Sequence, residues 1–127
     1  MSSLHANAAL RPEAGMVITK AVVRAAERLR LTARILSAVI GVSEATVSRM
    51  KRQEFGLEPG TKPFELGVLF VRLFRSLDAI VGGDDAVAAA WLTNPNLALD
   101  ARPIEKLQTV SGLVDVIAYL DARRALV

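Results

Sequence analysis

The stretch from Leu31 to Arg52 reads LTARILSAVIGVSEATVSRMKR, and it decides the fold of the first half of the chain. Thr32 can accept hydrogen bonds from the free N–H groups that open a helix. Gly41 can take the left-handed conformation that ends one, and Ser43 can cap the next helix. The stretch therefore predicts two short helices, residues 33–40 and 44 to about 53, joined by a tight turn.

Small and apolar residues follow each other here at the spacing of a helix-turn-helix. Ser37 provides a small side chain where the two helices approach closely, and Gly41 provides the turn four residues later. The apolar residues expected to point inward from both helices are Leu36, Ile40, Val42, Val47 and Met50. An ordinary helical hairpin is the alternative that this spacing by itself leaves open.

The outward face of the second helix carries residues that suit the major groove of DNA. Arginine can bond guanine through two N–H groups, and small residues let a helix approach the bases closely. Arg49 and Arg52 would provide the first property, and Ala45 and Ser48 the second. We expect DNA contacts from Thr32, Arg34, Ser43, Glu44, Ala45, Thr46, Ser48, Arg49 and Arg52.

The distribution of charge along the chain supports an anionic partner for this half. Residues 1–62 contain ten Lys and Arg against five Asp and Glu, whereas residues 63–127 contain six against eight. A basic first half and a mildly acidic second half indicate two different partners, and a polyanion suits the first. Solvated helix faces would give the same counts, so the charge alone leaves both interpretations open.

The segments that flank the stretch also have helical periodicity. Residues 1–11 show none and are expected to form a loose arm, after which Pro12 suits the first turn of a helix. One apolar face of that first helix comprises Val17, Ala21, Val22, Ala25 and Leu29. No alternation typical of β-strands persists, so the sequence predicts an all-α fold.

The second half reads as four further helices. The fourth helix begins at Pro63 and ends before Gly82-Gly83, and Asp84 caps a fifth that runs to about Leu92. A turn at residues 93–96 is followed by a short helix from Pro103 to about Leu107 and a last helix after Thr109. The buried face of the fourth helix is expected to comprise Phe64, Leu66, Val68, Leu69, Leu73, Leu77 and Ile80.

Composition excludes several classes of function. The 127 residues are 52% hydrophobic and contain no cysteine, and no apolar run approaches the roughly 20 residues of a membrane span. The first residues lack the pattern of a secretory signal, so the cytoplasm is the expected compartment.

Catalysis is not expected either. His5 is the only histidine and lies in the expected loose arm, so no histidine-based triad or dyad is expected, and no glycine-rich phosphate loop occurs. Helix capping explains Asp84 and Asp85 better than a metal or acid pair does. We expect no catalytic residue, no metal and no cofactor.

Residues 31–50 resemble the helix-turn-helix of Xre and phage repressors. A second resemblance lies in Trp91-Leu92-Thr93-Asn94-Pro95-Asn96, Leu99 and Arg102-Pro103-Ile104-Glu105-Lys106-Leu107, with Thr109, Gly112, Val116 and Leu120 after them. This arrangement is similar to the C-terminal toxin-binding domain of Xre/MbcA/ParS antitoxins. It divides the chain into an arm (1–11), an Xre-like helix-turn-helix domain (12–60) and a helical toxin-binding domain (61–127). From the residue type alone, we expect Trp91 to be a mostly buried anchor of the core.

The resemblance implies a partner and a mechanism. Members of this family neutralise RES-domain toxins, which consume NAD, and repress their own operon, so it implies operator DNA and a homodimer within a toxin–antitoxin hetero-oligomer. Some use their C-terminal end to obstruct the toxin's NAD pocket, which here would be done by Arg123, Arg124, Leu126 and Val127. This chain lacks the glycine that relatives often carry near that end.

Two further classes of function remain compatible with the residues. One is a stand-alone helix-turn-helix repressor whose helical second half senses a ligand or dimerises, and the other is a structural helical adaptor. The repressor would bind DNA independently of any neighbouring gene product, and the adaptor would show no salt-sensitive DNA binding.

Overall fold

The computed structural model describes the backbone of residues 2–126 and the side chains of residues 13–126. Over that range the chain forms seven α-helices and no β-strand, which confirms the predicted all-α fold. The helices are α1 (Ser2–Arg28), α2 (Ala33–Ile40), α3 (Glu44–Lys51), α4 (Lys62–Val81), α5 (Asp85–Thr93), α6 (Pro103–Lys106) and α7 (Val110–Arg124).

The ends of α2 and α3 follow from local sequence, as predicted. The Thr32 hydroxyl accepts from the Ile35 N–H at 3.2 Å, and Ser43 accepts from the Thr46 N–H at 3.0 Å. Gly41 ends α2 with φ of 73°, and its N–H donates to the Ser37 carbonyl at 2.9 Å. A side chain is disfavoured at this φ, so the turn requires glycine.

The end of α3 lies at Lys51, slightly before the predicted residue 53. Gln53 takes a left-handed conformation with φ of 62°, and the Glu54 N–H donates to the Arg49 carbonyl at 2.8 Å. This closure resembles a glycine-terminated helix end without a glycine. The sequence therefore lacks the glycine that usually marks the end of a helix, which explains why the predicted end lies beyond the observed one.

The start of α1 differs more from the sequence prediction. The helix begins at Ser2 and includes residues 2–11, which were expected to form a loose arm. Alanine and leucine, the strongest helix formers, are frequent there, and that propensity carries no amphipathic period. The helical backbone continues through Pro12, which lacks the N–H that would bond the carbonyl of Ala8.

Helix α4 lies at the centre of the molecule. It packs against α1 and α2 on the side of the helix-turn-helix and against α5 and α7 on the other side. Phe70, Leu73 and Leu77 are fully buried along it, and Leu66 is nearly so. The two halves of the chain therefore share one core element.

Two valines depart from the predicted apolar faces. Val17 of α1 is 65% exposed and Val68 of α4 is 40% exposed, although helical periodicity assigned both to buried faces. Their neighbours Val22 and Leu66 are buried as expected. The reason is that α1 and α4 leave an open groove along this side of their contact, which both valines line.

Polar contacts hold the connections in place. The buried Thr19 hydroxyl donates to the Gly15 carbonyl at 2.6 Å and accepts from the Leu57 N–H at 2.8 Å, which fixes the segment after α3 against α1. At the end of α1, Arg28 donates to Asp78 of α4 at 2.8 Å and to Asp85 of α5 at 3.0 Å. Arg28 thereby ties the first helix to the beginning of the second half.

Among residues 2–126, no helix is both long enough and apolar enough to span a lipid bilayer.

Candidate nucleic-acid interface and C-terminal site

Arg49 is the best-positioned cation on the exposed side of α3. Its side chain is exposed to solvent, and Nη2 donates to the Thr46 hydroxyl at 3.1 Å. The guanidinium carbon also lies 5.4 Å from the centre of the Phe55 ring, within the range of a cation–π contact. The guanidinium is thus held in place before any ligand binds, with N–H donors left for a partner.

Thr46 departs from the expectation that it would contact DNA. Its side chain is buried, and its hydroxyl accepts from Ser43 at 3.0 Å as well as from Arg49. The β-branched side chain lies on the inward side of α3, because Thr46, Val47 and Met50 are spaced at i, i+1 and i+4 and so share one helix face. Thr46 therefore orients Ser43 and Arg49 from below the surface.

The other residues assigned to DNA contact lie at the surface or close to it. Glu44 and Ala45 are exposed in the first turn of α3, and Ser48 is half-buried one turn later. Arg52 is exposed at the end of the helix, where it pairs with Glu54 at 3.1 Å. Exposed residues on the neighbouring α2 side are Thr32 and Arg34, with Ser43 at the start of α3.

Phe55 and Glu54 were not identified from the sequence as part of this site. Both follow the end of α3, in a segment whose glycines and proline indicated only a break. The left-handed turn at Gln53 brings the chain back along the helix, so Phe55 reaches Arg49. The available signal for this contact in the sequence is an aromatic residue shortly after a helix whose last turn carries cations. The contact itself can be inferred only once the geometry of the turn is known.

The end of α7 carries a second arrangement of arginine and aromatic side chains. Arg123 Nη1 donates to the Tyr119 hydroxyl at 3.2 Å, and its guanidinium carbon lies 5.9 Å from that ring's centre. Tyr119 in turn stacks on Trp91 of α5, with ring centres 6.1 Å apart and an angle of 16° between the planes. Tyr119 was not identified from the sequence. Its ring connects two residues that were, Trp91 and Arg123.

Trp91 is half-buried, whereas a mostly buried core anchor was expected. It packs against the edge of the hydrophobic core and against α7 through Tyr119. On α5 it lies between the exposed Ala90 and the fully buried Leu92, at the boundary of the helix face that packs inward, so only part of the indole is covered.

The predicted toxin-contacting residues lie at the end of α7 and beyond it. Arg123 and Arg124 are exposed in the last turn, and Leu126 is 84% exposed just after it. Val127 lies outside the described residues. The helix is anchored immediately before this end, because Asp121 pairs with Arg72 and accepts from the Ser76 hydroxyl at 3.0 Å.

The two adjacent aspartates at the start of α5 have separate structural roles. Asp84 caps the helix by accepting from the Val87 N–H at 3.1 Å, as predicted. Asp85 lies in the first turn and pairs with Arg28. The cap was predicted, whereas the ion pair with a residue 57 positions earlier was not.

A capped two-helix unit with an exposed arginine face, packed on α4 together with further helices, is the arrangement of a helix-turn-helix DNA-binding protein. Residues 8–72 match the family model for the antitoxin Xre-like helix-turn-helix domain. Residues 76–125 match the model for the antitoxin Xre/MbcA/ParS C-terminal toxin-binding domain. The chain belongs to the Xre-type antitoxins. Among curated proteins, no relative matches it.

Membership gives the chain the role of an antitoxin, with DNA and a toxin as partners of its two parts. Both families are regulatory and binding families, not families of enzymes. The first match ends at residue 72 and the second begins at residue 76, so both include part of α4. That division agrees with the position of α4 between the two packed groups of helices.

Proposed function

We propose that this antitoxin neutralises a RES-domain toxin by placing its C-terminal end in the toxin's NAD cleft. The observation that carries the proposal is the exposed end of α7, where Arg123 and Arg124 precede the 84% exposed Leu126. Neither arginine pairs with a carboxylate among the described side chains. These cations are therefore available to a partner.

The chemistry of the cleft suits such an end. A site that binds NAD accepts the anionic pyrophosphate, so a cationic peptide can compete with the cofactor by charge and by volume. Leu126 and Val127 would add apolar contacts. Inhibition would be steric, and this chain would perform no chemical step.

The test is co-expression with the product of the adjacent gene. That product alone should stop growth and deplete cellular NAD, and the full antitoxin should restore both. Deletion of residues 122–127 should abolish the protection, while operator binding stays unchanged because α3 is not altered. Arg102→Ala is the matched control, since Arg102 is an exposed arginine of the same half that pairs with Glu105 at 2.6 Å.

If the deleted chain still protects cells and still blocks NAD loss, inhibition comes from residues 64–121 and the proposed role of the end is wrong. A point variant with both Arg123→Glu and Arg124→Glu separates charge from volume. It should weaken protection less than the deletion does, because Leu126 and Val127 are retained.

We propose in addition that a homodimer of this chain represses its own operon. Two α3 helices would enter major grooves one turn apart, roughly 34 Å, at a palindromic site in the promoter. Both roles assign the chain to the cytoplasm. A promoter reporter and a gel-shift assay test this: repression should depend on the palindrome and respond to the toxin. Repression that is indifferent to the neighbouring gene product would favour a stand-alone repressor.

A further inference from the structure

The groove between α1 and α4 has an apolar floor that faces solvent. Val17 and Val68 line it, and they are the two valines that periodicity assigned to the buried faces of their helices. Ala21 and Val71 complete the floor. The groove measures about 600 Å³ in this section, and it continues toward the end of α3 in an adjoining section of about 670 Å³.

The rims of this groove are cationic. Lys20 and Arg24 lie on the α1 side, Arg75 on the α4 side and Lys51 at the end of α3. All four are exposed, and none forms an ion pair with another described side chain. Glu27 is the acidic side chain that lines the same section. Among the described side chains, residues 13–126, the cations beside this apolar floor have no carboxylate partner.

This combination fits an acidic amphipathic helix. Such a helix would place its apolar side on the valines and its carboxylates against the rims, as in other helix-in-groove complexes. A second copy of this chain fits poorly, because both copies carry Lys20, Arg24 and Arg75 on the groove rims, so a two-fold contact would place cationic rims against cationic rims. A DNA backbone would match the charge but would leave Val17 and Val68 without an apolar partner.

The groove is continuous with the exposed end of α7, and this continuity indicates that the helix would belong to the toxin. Arg124 lines the groove near Asp121, and the exposed end of α7 begins at the same residue. A toxin that holds this end therefore stands beside the groove. We propose that the α1–α4 groove is a second toxin-docking surface that receives an acidic amphipathic helix of the toxin, an inference that rests on the proposed function.

The test measures affinity between the purified full-length antitoxin and the purified product of the adjacent gene. Val17→Asp and Val68→Asp each place a carboxylate on the floor, and both sites are exposed, so the fold should survive. Each should weaken binding at least tenfold. Ala38→Asp is the matched control, because Ala38 is exposed on α2, away from the groove and outside the toxin-binding domain.

The rims are tested by charge reversal. Arg24→Glu combined with Arg75→Glu should weaken binding at least tenfold, mostly by slowing association, and should reduce the dependence of affinity on salt. Lys62→Glu is the control, since Lys62 begins α4 outside the groove and is 79% exposed. Thermal unfolding of every variant checks that the fold is retained.

The outcomes separate this inference from the proposed function. If the wild-type chain does not bind the toxin, the proposed function and the groove proposal are both wrong. If the wild type binds and the groove variants bind equally well, the groove proposal alone is overturned. It is also overturned if the groove variants lose operator affinity or dimer mass while toxin affinity is unchanged, since DNA or a second copy would then occupy the groove. A loss confined to toxin affinity supports it, and the deletion of residues 122–127 tests the proposed function separately.

Discussion

Arg49 of α3 and Arg123 of α7 make the same two kinds of contact, and they differ in the origin of their partners. Each guanidinium donates to a hydroxyl and lies over an aromatic ring. Arg49 donates to the buried hydroxyl of Thr46 and lies over the ring of Phe55, which follows the turn after α3. Arg123 makes both contacts with a single residue, Tyr119, which lies one turn earlier on the same helix.

The difference shows how far each surface is organised before its partner binds. Tertiary structure fixes the orientation of Arg49, because the chain after α3 must fold back to bring Phe55 into contact. The contacts of Arg123 follow from helical spacing alone, and the chain after it is exposed. The proposed DNA-binding surface around Arg49 is therefore organised before a partner binds, whereas the proposed toxin-binding end beyond Arg123 would be ordered by its partner.

The largest expected effect comes from the element that both regions share. Phe70→Ala should reduce the free energy of unfolding by about 3–5 kcal/mol, because Phe70 is fully buried on α4. Urea unfolding followed by the fluorescence of the single tryptophan reports on the second half, and circular dichroism reports on all helices. The two transitions should coincide and shift together. Separate transitions would mean that the two regions are independent, and Val68→Ala provides a control at an exposed site of the same helix.

The next effect concerns the pre-organised arginine. Arg49→Ala should cost about 1–3 kcal/mol of operator affinity and relax specificity at one base pair, if the guanidinium reads a base. Gel-shift titration at fixed salt measures it, with Lys62→Ala as a control outside α3. Wild-type affinity of the Arg49→Ala protein would remove Arg49 from the interface. Toxin affinity should not change in either variant.

A smaller effect is expected for the aromatic stack beside α7. Trp91→Ala should destabilise the fold by about 2 kcal/mol, less than the change at Phe70, because Trp91 is half-buried. Thermal unfolding measures the loss, and Trp91→Phe should recover most of it by preserving a ring for Tyr119. A loss as large as that of Phe70→Ala would contradict the half-buried position. Operator affinity of the folded variant should equal that of the wild type.

The smallest effect isolates the contact that distinguishes Arg49 from Arg123. Phe55→Leu keeps an apolar side chain but removes the ring below the guanidinium, so operator affinity should fall by about 0.5–1 kcal/mol. In a protein that already carries Arg49→Ala, the same substitution should have almost no effect on operator affinity. Equal losses in both backgrounds would show that Phe55 acts on the fold and not through Arg49.

Local sequence was sufficient for most helix ends and for the helix-turn-helix. Thr32, Ser43 and Asp84 cap helices as predicted, and Gly41 ends α2 in the expected left-handed conformation. The inward residues Leu36 and Val47 are fully buried, as are others that the spacing identified. These features depend on groups within about four residues of each other, so the order of residue types is enough to specify them.

Some parts of the candidate sites could not be predicted in this way. The burial of Thr46 depends on how α3 rotates against its neighbours, and the contact between Phe55 and Arg49 depends on a turn without glycine. Arg28 contacts two carboxylates from 50 and 57 residues further along the chain. No local pattern indicates which distant charges will meet.

The sequence by itself determined an all-α chain with a helix-turn-helix, its capping residues and its inward apolar positions, because hydrogen bonding at helix ends and helical period are short-range properties. Only the tertiary structure decided that α4 is shared by both halves, that Phe55 supports Arg49 and that Tyr119 links Trp91 to Arg123. It also decided that Val17 and Val68 remain in contact with solvent. Periodicity gives the apolar side of a helix, whereas the crossing of two helices decides how much of that side is covered.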